Sequence, residues 1–164
     1  DPNDWLDMFN VNVIGMVRGA RAVLPAMIEK RYGKIIIVGS IAGYKESWAL
    51  RSHSQMGYAL TKAAANHFSK VLSAQVRNYG INVNCIGVGA HTRLGFAARQ
   101  ELARKRGQPP PPSPEARPDE ERVEPEENVP PFIFLASHLA DHITGEYIEA
   151  NMMTDGQRRG IKSP

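Results

Sequence analysis

Tyr58 and Lys62, four residues apart in the run Tyr58-Ala59-Leu60-Thr61-Lys62, are the pair with the most chemical potential in this 164-residue chain. On a helix that spacing puts a phenol and an ammonium on one side. A phenol with an ordinary pKa of ~10 is a poor base near neutrality, and a nearby cation favours its phenolate. Bringing a phenol from ~10 to ~7 takes roughly 4 kcal/mol, a demand that one partly buried lysine and a cationic ligand ring can meet together. Such a tyrosine exchanges a proton with an alcohol or a carbonyl, and a serine can hold the same oxygen by a hydrogen bond. Ser40 is the serine available: it closes the apolar run Lys34-Ile35-Ile36-Ile37-Val38-Gly39, ahead of the turn Ile41-Ala42-Gly43. Taken singly, a Tyr and a Lys four apart are an ordinary solvated pair, and Ser40 is an ordinary strand-end hydroxyl. The joint arrangement is what points to proton transfer.

Two more stretches extend the set, Val11-Asn12-Val13-Ile14-Gly15 before it and Gly80-Ile81-Asn82-Val83-Asn84-Cys85-Ile86 after it. In this order the four resemble the short-chain dehydrogenase/reductase family. There, a helix carries an asparagine, a serine closes the fifth strand, a Tyr-x-x-x-Lys helix follows, and a further strand comes next. The resemblance implies a Rossmann-type, doubly wound parallel α/β sheet. It also implies NAD or NADP as cofactor, and hydride transfer to or from a secondary alcohol or ketone, 3-oxoacyl and steroid-like compounds among them. By the same resemblance Tyr58 is the general acid in reduction and the general base in oxidation. Lys62 lowers the pKa of Tyr58 and hydrogen-bonds the nicotinamide ribose, Ser40 polarises the substrate carbonyl, and Asn12 holds a water that relays protons from Lys62 to solvent. Gly89 and Thr92 fall where the family's Pro-Gly turn and threonine meet the nicotinamide carboxamide. Here Val88 replaces the proline, and the Gly89-to-Thr92 interval is one residue shorter. The Ser40-to-Tyr58 interval is several residues longer than usual, which enlarges the loop Tyr44 to Ser54. A homodimer or homotetramer is also implied, with helices near 3–29 and 55–78 against a second subunit.

The family's opening segment, a glycine-rich turn that receives the cofactor pyrophosphate at a helix N-terminus, has no counterpart in these residues. Gly15 and Gly19 lie inside an apolar-periodic helix and read as packing residues. The expectation is therefore a single partial domain over 1–164, the catalytic last two-thirds of the family's pattern. Two other readings stay open. The absent phosphate loop favours a non-catalytic Rossmann-like remnant acting as a binding or oligomerisation module. A sugar-nucleotide epimerase or dehydratase would share the Tyr-x-x-x-Lys chemistry, but the compact C-terminus argues against it.

The elements that must hold these residues are legible from pattern. Asp1 can cap a helix that Pro2 begins, and apolar residues recur at helical spacing to about Glu29, with Pro25 predicted to bend the end. Ile35 to Val38 predict a central parallel strand buried on both faces. A second long helix is expected over 55–78, stopping at Gly80. Ile81 to Ile86 predict a strand, and 95–106 a further helix. The proline- and acid-rich stretch 108–131 predicts an irregular excursion, followed by a short apolar helix over 131–137 and a last strand over 147–150. Three strands standing alone would leave one long edge unpaired.

Bulk composition narrows the rest. Hydrophobic content of 42% and charged content of 23% are ordinary for a globular domain. No apolar run approaches the ~20 uninterrupted residues of a membrane span, so no membrane partner is expected. The single cysteine, Cys85, excludes an internal disulfide and fits a reducing compartment such as the cytoplasm, as a buried, inert thiol. The net charge is +3, and the clusters Arg104-Lys105-Arg106 and Arg158-Arg159 lack interleaved aromatics, so no nucleic-acid partner is expected. His138 and His142 have helical zinc spacing but no glutamate after the first histidine, so no metal site is expected. His53 reads as a solvent-exposed loop residue.

Overall fold

The β-branched run that precedes Ser40 forms strand β1 (Gly33–Gly39), which lies parallel to β2 (Ile81–Gly87) and, beyond it, β3 (Tyr147–Glu149). The computed structural model describes residues 1–44, 53–89, 93–113 and 125–150. Register sets Ile35 opposite Val83, Ile37 opposite Cys85, and Cys85 opposite Tyr147. Parallel neighbours need crossovers: α1 (Pro2–Phe9) and α2 (Gly15–Lys30) precede β1, α3 (His53–Val76) lies between β1 and β2, and α4 (Arg93–Lys105) and α5 (Val129–Ala136) lie between β2 and β3. The α/β class and the parallel sheet expected from the sequence are both present.

The sheet divides two clusters. On one face Ile35, Ile37, Val83 and Cys85 meet Ala65, Leu72 and Val76 of α3, with Met16, Leu24 and Met27 of α2 packed against them. On the other, Ile86 meets Leu135 of α5, Ala140 and Ala150. The central, doubly buried strand is β2, not β1. Only alternate residues of β1 are buried, and Val38 is 45% exposed, because no strand pairs with its outer edge among the described residues.

Several boundaries move from the expected ones. Asp1 does cap α1, its carboxylate accepting from the Asn3 N–H at 2.9 Å. The first helical stretch then continues through one π-turn, Asn10–Ile14, into α2. Pro25 sits within α2, which runs on to Lys30 and ends at Arg31 in the left-handed region with φ 50°. The combined helix Pro2–Lys30 is long and apolar enough to cross a membrane by length and composition, contrary to the reading of its apolar runs. Its Met16, Ala20, Leu24 and Met27 nonetheless recur every three or four residues against the sheet, as in an amphipathic covering helix. α3 passes through a 3₁₀ turn and stops at Gly80, whose φ of 73° needs a glycine. The excursion ends earlier than 131: a 3₁₀ turn begins at Pro125 and α5 at Val129. Pro130 and Pro131 fall in the first turn of α5, where a missing N–H costs nothing.

Candidate functional site

Strand β1 and helix α3 meet at the corner where Ser40 ends the strand. Ser40 is buried and caps the 3₁₀ turn Ile41–Gly43, its Oγ accepting from the Ala42 N–H at 3.1 Å. That bond uses a lone pair and leaves the Ser40 hydroxyl proton free to be donated. Two residues earlier on the same strand, the Val38 carbonyl accepts from Lys62 Nζ at 2.9 Å. Lys62 Nζ also lies 5.6 Å from the centroid of the Tyr58 ring, so the four-residue spacing does put ammonium and phenol on one side of α3. Burial lowers the pKa of Lys62 from its ordinary value by disfavouring its charged form. Tyr58 itself is 39% exposed and open to a ligand from solvent.

Asn12 arrives from the π-turn, a helix irregularity that re-aims side chains and recurs at functional sites. Its Nδ2 donates to Thr61 Oγ1 at 3.0 Å, and Thr61 Oγ1 donates to the Tyr58 carbonyl at 2.7 Å. The buried Thr61 thus ties the asparagine-bearing turn to the backbone of the tyrosine. Asn12, Val38 and Lys62 line one trough of about 560 Å³ along the outer edge of β1. The structure therefore gathers Asn12, Ser40, Tyr58 and Lys62 around the C-terminal end of β1, where open α/β sheets bind ligands.

Gly89 lies just beyond the C-terminal end of β2. Its N–H is taken by Asn128 Oδ1 at 3.2 Å, and its carbonyl accepts from Asn128 Nδ2 at 3.1 Å, so the second carbonyl lone pair remains. Thr92 and the side chain of His53 lie outside the described residues. His138 belongs to the opposite end of the sheet, where its Nδ1 is 3.3 Å from Asp141 and Asp141 pairs with Lys34 at 2.6 Å.

Residues that the spacing did not single out complete the corner. Asn66, one helical turn beyond Lys62, bonds both the Ser40 carbonyl and the Cys85 thiol. Tyr147 stacks edge-on with Tyr44 at 4.6 Å between centroids, and its hydroxyl is buried without a partner among the described residues. Asn66 and Tyr147 carry no motif in the sequence; only the tertiary contacts reveal them.

With this geometry in place, likeness to known proteins becomes informative. The sequence pattern of the short chain dehydrogenase family matches residues 1–101. The chain belongs to the short-chain dehydrogenase family. It is 30% identical over 159 residues to the 3-oxoacyl-(acyl-carrier-protein) reductase of Escherichia coli, covering 90% of this chain and 56% of that protein. The corresponding reductase of Salmonella typhimurium is 29% identical over 160 residues, with 91% and 57% covered. Among solved structures, a Brucella melitensis 3-oxoacyl-(acyl-carrier protein) reductase with bound NAD superimposes with a TM-score of 0.67 at 28% identity, over 91% of this chain and 51% of that one. A gluconate 5-dehydrogenase from Burkholderia cenocepacia, in complex with NADP and tartrate, gives 0.70 at 28% identity, over 91% and 55%. The chain thus spans about half the length of the relatives it matches.

Proposed function

We propose that this protein is an NAD(P)-dependent oxidoreductase that interconverts a ketone and a secondary alcohol, with a 3-oxoacyl thioester as the first substrate class to test. The observation that carries this reading is Lys62, which reaches Tyr58 on its own helix and the strand end that carries Ser40. The residues present suit the nicotinamide-ribose end of a dinucleotide. Lys62 has three N–H donors, of which Val38 takes one, leaving two for ribose hydroxyls and water. The remaining lone pair of the Gly89 carbonyl suits a carboxamide N–H. When bound, the nicotinamide supplies or accepts the hydride.

In the reducing direction the Ser40 hydroxyl donates a hydrogen bond to the substrate carbonyl oxygen, keeping its own proton, and holds that oxygen against Tyr58. Tyr58 then gives its phenolic proton to that oxygen as the carbonyl carbon receives the hydride, and the product is the alcohol. The positive charge of Lys62 stabilises the phenolate left behind. A proton returns to Tyr58 through Lys62 and a water in the trough beside Asn12. In oxidation each step reverses, and Tyr58 is the base.

The exposed apolar face of α1 and α2, with Leu6 67% and Val17 39% exposed, supports pairing with a second copy. The same face supports the second reading, an oligomerisation module without turnover. The two separate in an assay of the purified protein with NADH or NADPH and an acetoacetyl thioester. Ketone-dependent oxidation of either nucleotide is expected. Its absence with both nucleotides, across a panel of ketones, overturns the enzyme reading.

A further inference from the structure

Asn66 is a buried carboxamide, 3% exposed, on the face of α3 that also buries Ala65, Ser69 and Leu72. Burying such a group is costly unless its polar atoms are bonded, and here both ends are. Its Nδ2 donates to the Ser40 carbonyl at 3.2 Å, and its Oδ1 accepts from Cys85 Sγ at 3.3 Å. The Ser40 carbonyl also accepts the Gly43 N–H at 3.0 Å, so both of its lone pairs are engaged. The surroundings are shaped to the amide. A Cβ on Gly39 would run into Asn66 Oδ1 and Cys85 Sγ, and one on Gly43 would meet Asn66 Nδ2 at 2.7 Å. Asn66 thereby joins three elements, the end of β1, α3 one turn after Lys62, and the middle of β2.

We infer that Asn66 is a positioning residue that fixes the Ser40 turn, and hence the Ser40 hydroxyl, against the helix carrying Tyr58 and Lys62. The inference rests on the oxidoreductase reading for its kinetic consequence and on geometry alone for its structural one. Lys62 tethers the strand at Val38 and Asn66 tethers it at Ser40, so the two bonds from α3 bracket the last turn of strand before the hydroxyl. With only the first tether, the Ser40 turn can pivot. Misplacement of a reacting group by about 1 Å is enough to cost ~10²-fold in rate.

Two readouts on the purified protein test it, using Asn66→Leu, Asn66→Ala in case the larger side chain prevents folding, and Cys85→Ala. Hydrogen–deuterium exchange at Ala42 and Gly43 reports directly on the bonds those amides make to Ser40 Oγ and Ser40 O. In the Asn66 variants it should rise about three- to tenfold, the worth of one hydrogen bond. Cys85→Ala keeps the bond to Ser40 and should leave it unchanged. Reductase kinetics should lose about tenfold or more in kcat with KM little altered, since Ser40 acts mainly in the transition state. Unchanged exchange in the Asn66 variants overturns the inference. So does an undiminished kcat in a variant whose turn has loosened, or equal loosening by Cys85→Ala. If the parent protein has no turnover, exchange alone decides the role of Asn66, and the oxidoreductase reading fails separately.

Discussion

Cys85 has no exposed surface, and its thiol is pushed up to about 11, chiefly because burial disfavours the thiolate. A folded pKa above the unfolded value of 9.0 means that the native state holds the proton longer. The associated stability is fully present below pH 9 and is lost as pH rises through about 11, a change on the order of 2–3 kcal/mol. Denaturant unfolding across that window should show the decline in the parent and a shallower one in Cys85→Ala. Lys62 has the opposite sign. Its lowered folded pKa means that burial of the charge costs stability at neutral pH, a cost relieved as pH climbs toward the ordinary lysine value. We therefore expect Lys62→Met to melt no lower than the parent while turnover falls about 10²-fold, within the range of proton-transfer contributions. A lower melting temperature with intact turnover would make Lys62 a structural residue. The Tyr58–Lys62 pair was legible because two reactive groups share one short helical spacing. Cys85 was legible as a buried thiol and is one, but its partnership with Asn66 was not, because it spans two elements and neither residue is marked by its neighbours.

At the scale of elements, the contact between β1 and α3 decides the site. Gly43 lets the turn after Ser40 lie directly on the α3 backbone: a Cβ there would meet Ala63 N and the Lys62 carbonyl carbon at 2.6 Å. Overpacking against backbone costs typically 1–3 kcal/mol, so Gly43→Ala should lower stability by about that much and reduce turnover as well. Calorimetry and steady-state rates on one preparation would check both. The sequence pattern located both long helices and the three strands found among the described residues, because apolar period and glycine stops mark them. It read β1 as central, whereas among the described residues β1 is an edge, since a run of four β-branched residues looks alike on an edge or in the middle. It also placed the start of α5 too late, because Pro130 and Pro131 read as breakers although a first helical turn accepts them. The π-turn carrying Asn12 left no trace in composition.

At the scale of the whole molecule, α1, α2 and α3 carry exposed apolar side chains that the described residues do not cover, Leu6, Val17 and Leu60 among them. Exposed apolar area of this kind marks an interaction surface. If a second copy covers them, Leu6→Lys with Leu60→Lys should convert the sedimenting species to a smaller one without lowering the helix content. An unchanged sedimentation coefficient would assign the face to something other than self-association. The family and its parallel sheet could be read from Asn12, Ser40, Tyr58 and Lys62 taken in order, whereas the way α3 grips the end of β1 emerges only once the chain is folded. The central claim is that the Tyr58 hydroxyl carries the proton. Its most direct test is the single-turnover rate of ketone reduction by Tyr58→Phe, measured with nucleotide affinity alongside. The account predicts a loss of about 10²- to 10⁴-fold in rate with binding largely retained; a rate equal to that of the parent would contradict it.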